Sequence, residues 1–300
     1  MKSPQKKPRN PGPIGGYWII LFARRWVPRP IFRALVIFGT WIAVFTLRDQ
    51  RAGSRRYLTS VLKRPPTLTE VHQHFLSFAD SLIEILWTAK GNPHRVYWAE
   101  GEGSDFEETL AKFPIVLFGT FHLGNSDLLG YLLGNFGRQV SMIRIRVANS
   151  VDTELAHKQF GDSIRFIWVD DPQNLSFAVK NAVERGESLA MKCDRVEGAR
   201  KTEAFTFLGE EIIFPFTIYH LSRLFSIPVL FAFGFTDEAG GTISYAAPAF
   251  VPVSGAKSAE HLTRAKDHFQ SVLSMIEDLL RERPYAWHNF KPLPLGKSDR

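Results

Sequence analysis

One histidine and one carboxylate stand out in the stretch Phe113–Leu133, FPIVLFGTFHLGNSDLLGYLL. His122 and Asp127 are five residues apart. On one continuous helix they would point about 140° apart, at about 3.6 residues per turn. They can pair only if His122 lies in a turn and Asp127 reaches back from the first turn of a following helix. The helix dipole favours a carboxylate at that position. A histidine held in one tautomer by a carboxylate, with backbone N–H groups nearby, can deprotonate a hydroxyl and steady an oxyanion. An H-x4-D match is short, however. A histidine that satisfies a buried turn, beside an ordinary helix-start acid, meets it equally well.

The neighbouring residues supply the elements this pair needs. Ile115–Phe118 is a bulky apolar run of the kind that makes a buried strand. Asn125 or Ser126 is a natural N-cap, and Leu128, Leu129, Leu132 and Leu133 form a helical stripe behind it. Val140–Val147 reads as a strand with Arg144 and Arg146 on one face. Near the histidine turn either arginine could hold a phosphate or carboxylate; at a sheet edge neither needs a function. Ser188–Cys193 is a further apolar strand, ending at Asp194-Arg195. Asp194 at a strand's carboxyl end is where open α/β sheets place functional groups, though loop solvation accounts for it as well.

Other strands are expected at Arg95–Trp98, Ile164–Val169, Pro228–Phe235 and Thr242–Ala247, with two more flanking a turn at Gly209-Glu210-Glu211. Helices are expected over Thr67–Lys90, Asp152–Phe160, Asn174–Glu184, Thr217–Phe225 and His261–Arg283. Glu100–Glu108 reads as an acidic loop. This alternation predicts an α/β domain over 65–300, a mostly parallel central sheet flanked by helices.

Composition bounds the partners. The 300 residues carry a net charge of +7, 45% hydrophobic residues, 25 Phe and 7 Trp. That balance suits anionic partners such as a membrane surface or an acidic carrier protein. The basic residues concentrate around an apolar N-terminal segment and no nucleic-acid motif occurs, so nucleic acid is not expected. Residues 1–16 are basic and rich in Pro and Gly, reading as a disordered arm. Residues 17–64 read as a helical, membrane-associating N-terminal region. Within it, 14 uncharged residues lie between Arg33 and Arg48, short of the roughly 20 that cross a bilayer. Arginines on both flanks favour a helix lying in an anionic leaflet. A buried core helix, or a span reaching back to Tyr17, are the alternatives.

Several chemistries lack support. The single cysteine, Cys193, excludes an intrachain disulfide framework and reads as packing. Gly186-Glu-Ser188-Leu-Ala falls short of a G-x-S-x-G elbow. The nine histidines are scattered, with no H-E-x-x-H, and no Gly-rich nucleotide loop occurs. No metal or cofactor is expected.

Taken in order, His122-x4-Asp127 after a buried strand, an arginine-bearing strand, Asp194 and then Phe207-Leu208-Gly209 resemble the lysophospholipid-acyltransferase-like superfamily. Within it the chain most resembles the late (lauroyl/myristoyl) acyltransferases of lipid A biosynthesis. The basic aromatic N-terminus and Tyr285-Ala-Trp287-His-Asn-Phe290 extend the likeness over nearly the whole chain. The resemblance implies transfer of a fatty acyl chain from an acyl carrier protein or acyl-CoA thioester to a lipid hydroxyl, at the cytoplasmic face of the bacterial inner membrane. It implies His122 as general base and Asp127 as its orienting carboxylate. Arg144 or Arg146, Asp194, Phe207 and Gly209 would contact substrate, with Asn125 in the turn. The sequence departs from the family's pattern at Arg195, where many relatives have Gln, at His157–Gly161, and in the His-Asn-Phe-Lys tail. These departures leave the acceptor open among lipid A precursors and ornithine-, glycine- or polyene-linked lipids. A hydrolase of the same shape, and a non-catalytic membrane-binding protein, remain the competing expectations.

Overall fold

Apolar runs that lack alternation become the buried strands of one sheet. The computed structural model describes residues 14–129, 137–145, 163–171, 173–197, 199, 201–291 and 294–295. Within them the strands are β1 (Val96–Trp98), β2 (Leu117–Thr120), β3 (Val140–Arg144), β4 (Ile164–Trp168), β5 (Ser188–Lys192), β6 (Thr202–Phe207), β7 (Glu210–Pro215), β8 (Val229–Thr236) and β9 (Thr242–Ala246). Seven of them form a mixed sheet in the order β1-β9-β8-β2-β5-β3-β4. Every neighbouring pair is parallel except β8–β9, which is antiparallel. β8 is buried from Val229 to Phe235, as a strand covered on both faces must be. The fold is therefore α/β with a mostly parallel sheet flanked by helices, as the alternating pattern predicts.

Helices α1 (Ile14–Trp26), α2 (Arg29–Thr46), α3 (Arg48–Leu62) and α4 (Leu68–Ala89) precede the sheet. α4 starts where its sequence says it should. Thr67 and Glu70 form a reciprocal capping box, which satisfies two orphan donors. α5 (Ser104–Lys112) occupies part of the stretch expected to be a loop. Its acids, Asp105 and Glu107, sit in the first turn, where the dipole favours them. Phe106, Thr109 and Leu110 are buried on its inner face. Among the described residues the remaining α-helices are α6 (Leu175–Glu184), α7 (Thr217–Phe225) and α8 (Ser258–Glu282). Arg146, Leu132, Leu133 and the helix expected over Asp152–Phe160 lie outside the described residues.

α2 has 18 residues and is long and apolar enough to cross a membrane by length and composition alone. It is no core helix. Ile31, Leu35, Phe38, Ile42 and Phe45 are all about half or more exposed. Their spacing of three and four residues puts them on one face. The opposite face rests on α4, where Trp41 stacks on His72 at 4.1 Å and Thr40 Oγ1 meets His72 Nε2 at 2.9 Å. α1 shows the same two-sidedness, with Ile19, Phe22 and Trp26 exposed and Leu21 buried. Arg24 pairs with Glu84, and Arg33 with Asp80, tying both helices to α4.

The β6–β7 hairpin stands apart from the main sheet. It turns through Leu208 and Gly209, both at positive φ, one residue earlier than the Gly209-Glu210-Glu211 turn expected. Its turn is held by Lys63 Nζ, which donates to Leu208 O at 2.9 Å, and by Glu277, which accepts from Leu208 N at 2.8 Å. The segment 284–290 after α8 runs back between α3 and α4. Tyr57 Oη donates to Pro284 O at 2.7 Å, and His74 Nε2 lies 2.7 Å from Trp287 O. The approach is close enough that a Cβ on Gly53 would stand 1.8 Å from Phe290 O.

Two glycines in neighbouring helices should therefore respond oppositely to alanine. Gly39→Ala on α2 meets nothing within 4 Å and should stabilise by about 0.5–1 kcal/mol. Gly53→Ala collides with backbone and should destabilise by about 1–3 kcal/mol or more. Thermal unfolding of the two variants checks both signs.

Candidate active site

β2 delivers the chain through Thr120 and Phe121 to His122 at the carboxyl edge of the parallel strands, the edge where open α/β sheets keep their ligands. The turn that follows is fastened on both sides. On one side Gly124 N donates to Ala286 O, and His288 N to His122 O, both at 2.7 Å. On the other, Asn125 N donates to Gly234 O at 2.8 Å. Gly124 is held at positive φ, and a Cβ there would stand 2.6 Å from Gly234 O. No other residue type fits at that point.

His122 is paired with Asp194, not with Asp127. Its Nδ1 lies 2.7 Å from Asp194 Oδ1, and its backbone N–H donates to Asp194 Oδ2 at 3.0 Å. A carboxylate can only accept here, so Nδ1 carries the proton and Nε2 keeps its lone pair. The Trp287 indole N–H donates to Asp194 Oδ2 at 2.9 Å, and Asn289 donates to Asp194 O at 3.2 Å. Arg195 in turn reaches Asn289 Oδ1 at 3.3 Å and His288 O at 3.2 Å. Arg195 and the His288-Asn289 pair of the tail thus touch each other.

Asp127 has a different partner. Lys192 Nζ approaches its carboxylate to 2.9 Å. Asp127 sits in a short 3₁₀ turn, Ser126–Leu128, which carries its side chain toward β5 rather than back over the imidazole. In the sheet Lys192 is level with Thr120 of β2. Arg144 follows Ile143, which is level with Met191 of β5. The Arg144 charge also bears on Asp127. Enclosure by its neighbours opposes ionisation of Asp127, though its side chain is still 43% exposed, and Lys192 and Arg144 outweigh that cost and hold the carboxyl at about 2.

Above this group lies a pocket of about 80 Å³. Phe78, Leu82 and Ile85 of α4 line it on one side, with His122, Asp127, Lys192 and His288 among the residues opposite. Burial lowers His122 to about 4, with the Lys192 and Arg195 charges adding to it and the Asp194 carboxylate opposing. At neutral pH the ring is therefore an unprotonated base. Asp194 stays below the usual carboxylate range, because His122, Arg195 and Trp287 outweigh the penalty of its burial. Cys193 is buried and burial pushes its thiol well above its ordinary value, which suits packing rather than nucleophilic attack.

The backbone N–H groups expected to steady an oxyanion are committed elsewhere. Those of His122, Gly124, Asn125 and Ser126 all have partners. The ammonium of Lys192, one-quarter exposed in the pocket wall, is the cation that a negative charge forming beside His122 could meet. Lys192, Trp287 and His288 are the site residues that sequence reasoning did not assign. A lone lysine in the apolar run Ser188–Cys193, two residues before Asp194, was the legible signal for the first. The aromatic tail hinted at the second.

The other expected residues scatter. Asn125 is fully buried, and its amide donates to Thr236 Oγ1 and Thr242 Oγ1 at 3.0 and 3.1 Å. It caps nothing with its side chain. Phe207 is buried edge-on to Trp287, with centroids 5.3 Å apart. It backs the indole that holds Asp194 and does not line the pocket. Gly209 lies in the hairpin turn. Ser188 of the elbow-like stretch accepts from Val116 N at 3.2 Å, at the opposite end of β5 from Asp194.

Two buried histidines, His74 and His288, and the partly buried His122 make the fold acid-sensitive. Burial lowers His122 and His74 to about 4, and His288 well below its ordinary 6.5. The unfolded chain binds protons that the native state refuses, so stability falls as pH drops from about 6.5 towards 4. Each such histidine should cost about 2 kcal/mol at pH 5. His74→Gln should shrink the stability difference between pH 7.5 and pH 5 by about that amount, measured by denaturant unfolding.

A scan against protein-family models finds none that matches this chain, and a search of curated proteins finds no match either.

Proposed function

We propose that this chain is a membrane-associated O-acyltransferase, moving a fatty acyl chain from a thioester donor to the hydroxyl of a lipid. The observation that carries this reading is His122 itself. Its Nδ1–H is fixed on Asp194, its Nε2 is unprotonated at neutral pH, and apolar α4 side chains roof the pocket it shares with a lysine. A thioester is already activated, so the reaction needs a base and an oxyanion partner but no covalent nucleophile.

His122 Nε2 takes the proton of the acceptor hydroxyl as its oxygen bonds to the thioester carbonyl carbon. Lys192 neutralises the oxyanion of the tetrahedral intermediate. That intermediate collapses by breaking the carbon–sulfur bond, and the imidazolium returns its proton to the thiolate that leaves. Asp194 holds the tautomer and stabilises the transient imidazolium. The acyl donor is an acyl carrier protein or acyl-CoA, the first of which the net charge of +7 would also attract.

The exposed apolar faces of α1 and α2 support a membrane setting. Large apolar patches left in water usually mark an interaction surface. Here arginines at 24, 25, 29, 33, 48 and 51 flank the patch, as anionic lipid would require. We place the protein on the cytoplasmic face of a bacterial inner membrane, with a lipid A precursor as one candidate acceptor.

Membranes holding the protein, supplied with labelled acyl carrier protein and total bacterial lipid, should yield a new acylated lipid by mass spectrometry. His122→Ala should abolish it. Free fatty acid as the product would point to a hydrolase, and equal product from wild type and variant would sink the reading. Asp194→Asn should lower kcat by about 10²–10⁴-fold, and Asp127→Asn by much less, because Asp127 does not touch the imidazole. The reverse ranking would mean that the Asp194 pair is not the working one.

The pH profile offers a second check. With His122 at about 4, kcat/KM should hold from neutral pH down to about pH 4 rather than falling near 6.5. Lys192→Met removes a repelling charge, so its acid limb should move upward. Its kcat should fall by about 10²–10³-fold.

A further inference from the structure

A second cavity lies on the other flank of α4. Its volume is about 580 Å³, and Arg24, Arg29 and Arg95 line it with Glu84, Trp87, His94 and the turn at 239–241. The three arginines come from α1, α2 and the segment just before β1, so the fold gathers cations that the sequence keeps apart. Three guanidiniums and the Glu84 carboxylate line this cleft, with Asp237 paired behind Arg95.

Two of the three are already oriented. Arg24 lies over the Trp87 ring at 4.6 Å and pairs with both Glu84 oxygens at 2.9 and 3.1 Å. Arg95 lies over Tyr97 at 4.6 Å and pairs with Asp237 at 3.0 Å. A guanidinium has five N–H donors, and a carboxylate engages two at most. Stacked and paired on one side, each keeps donors for a ligand on the other. Planar forks of this kind engage a phosphate through two parallel hydrogen bonds, where an ammonium offers only a point charge.

The position selects the ligand further. Arg24 is two residues from Trp26, 71% exposed, and Arg29 two residues from Ile31, 55% exposed. They lie in the last turn of α1 and the first turn of α2, the two helices that carry the exposed apolar faces. The cleft is also wired to the histidine turn. His94 Nε2 meets Thr242 Oγ1 at 2.9 Å, and Thr242 Oγ1 accepts from Asn125 Nδ2 at 3.1 Å. Asn125 lies three residues after His122.

We propose that this cleft is a second ligand site, one that takes the phosphate of an anionic lipid headgroup. It is separate from the pocket at His122 and does not depend on what reaction occurs there.

The test is calorimetric titration of the full chain with three probes: dihexanoyl phosphatidic acid below its micelle concentration, dihexanoyl phosphatidylcholine, and inorganic phosphate. Phosphatidic acid should bind and phosphatidylcholine should not. Arg24→Gln with Arg29→Gln should weaken phosphatidic acid at least tenfold. Arg55→Gln with Arg56→Gln, an equal charge loss on the exposed side of α3, should leave it unchanged. Should the first pair fail to fold, Arg29→Glu alone, at an exposed side chain, should still weaken binding severalfold. His122→Ala should bind like wild type, so a failed catalytic reading would not disturb this result. Binding that survives loss of Arg24 and Arg29, or that falls equally in the α3 control, overturns the site. Inorganic phosphate binding as tightly as phosphatidic acid overturns the lipid headgroup as its ligand.

Discussion

A carboxylate with no exposed surface must have its charge answered from inside the protein, and Asp194 is that group. Left alone, an ion so placed costs several kcal/mol even after the surroundings relax. Its donors come from the His122 ring, the His122 backbone and the Trp287 indole, respectively 72, 72 and 93 residues away. To satisfy one side chain, the end of β5, the turn after β2 and the segment after α8 must converge within hydrogen-bond reach. Phe207 and Tyr57 then set the indole edge-on, at 5.3 Å each. The hairpin turn anchored on Lys63 and Glu277 sets Phe207. Much of the molecule's long-range order can be traced outward from that one buried charge.

The same logic explains what a linear reading reaches and what it misses. Strands such as Pro228–Phe235 and helices such as Thr217–Phe225 were legible because burial and periodicity are local properties of a chain. His122 and Asp194 were each legible as positions, a turn after one strand and the end of another. Their pairing was not, because a five-residue spacing drew the eye to Asp127 while the real partner comes through the sheet. Register decides such questions, and register is set by the whole sheet. α5 was hidden by its own acids, which read as solvent-loving loop until the dipole at a helix start is considered. Gly53 was illegible altogether. Its reason is a carbonyl 237 residues further along the chain.

α4 has two duties that belong together. Its Phe78, Leu82 and Ile85 roof the histidine pocket, while Asp80 and Glu84 grip α2 and α1. Any force that lifts or tilts the two outer helices acts on the pocket roof through those ion pairs. The helix also separates two different environments: an apolar-roofed chamber of about 80 Å³ and an arginine-lined cleft of about 580 Å³. A single amphipathic segment, capped by Thr67 and Glu70, therefore sets the dimensions of both.

The strap at 284–290 has a consequence for the order of events in the cell. Bonds from Pro284 to Tyr57 and from Ala286 to Gly124 join segments separated by more than half the chain. Contacts so distant in sequence close late, because their loop entropy must be met before they contribute. A ribosome that has released residues up to Asp194 has already exposed β2, β3, β4 and β5, yet Asp194 still lacks its indole donor. The carboxylate that orients the histidine gains its last two donors only when residues 287 and 289 have emerged and packed back against it. A translation product halted anywhere before that point carries His122 and Asp194 without the indole and amide that hold the carboxylate, so the pair is completed only once the strap has been made.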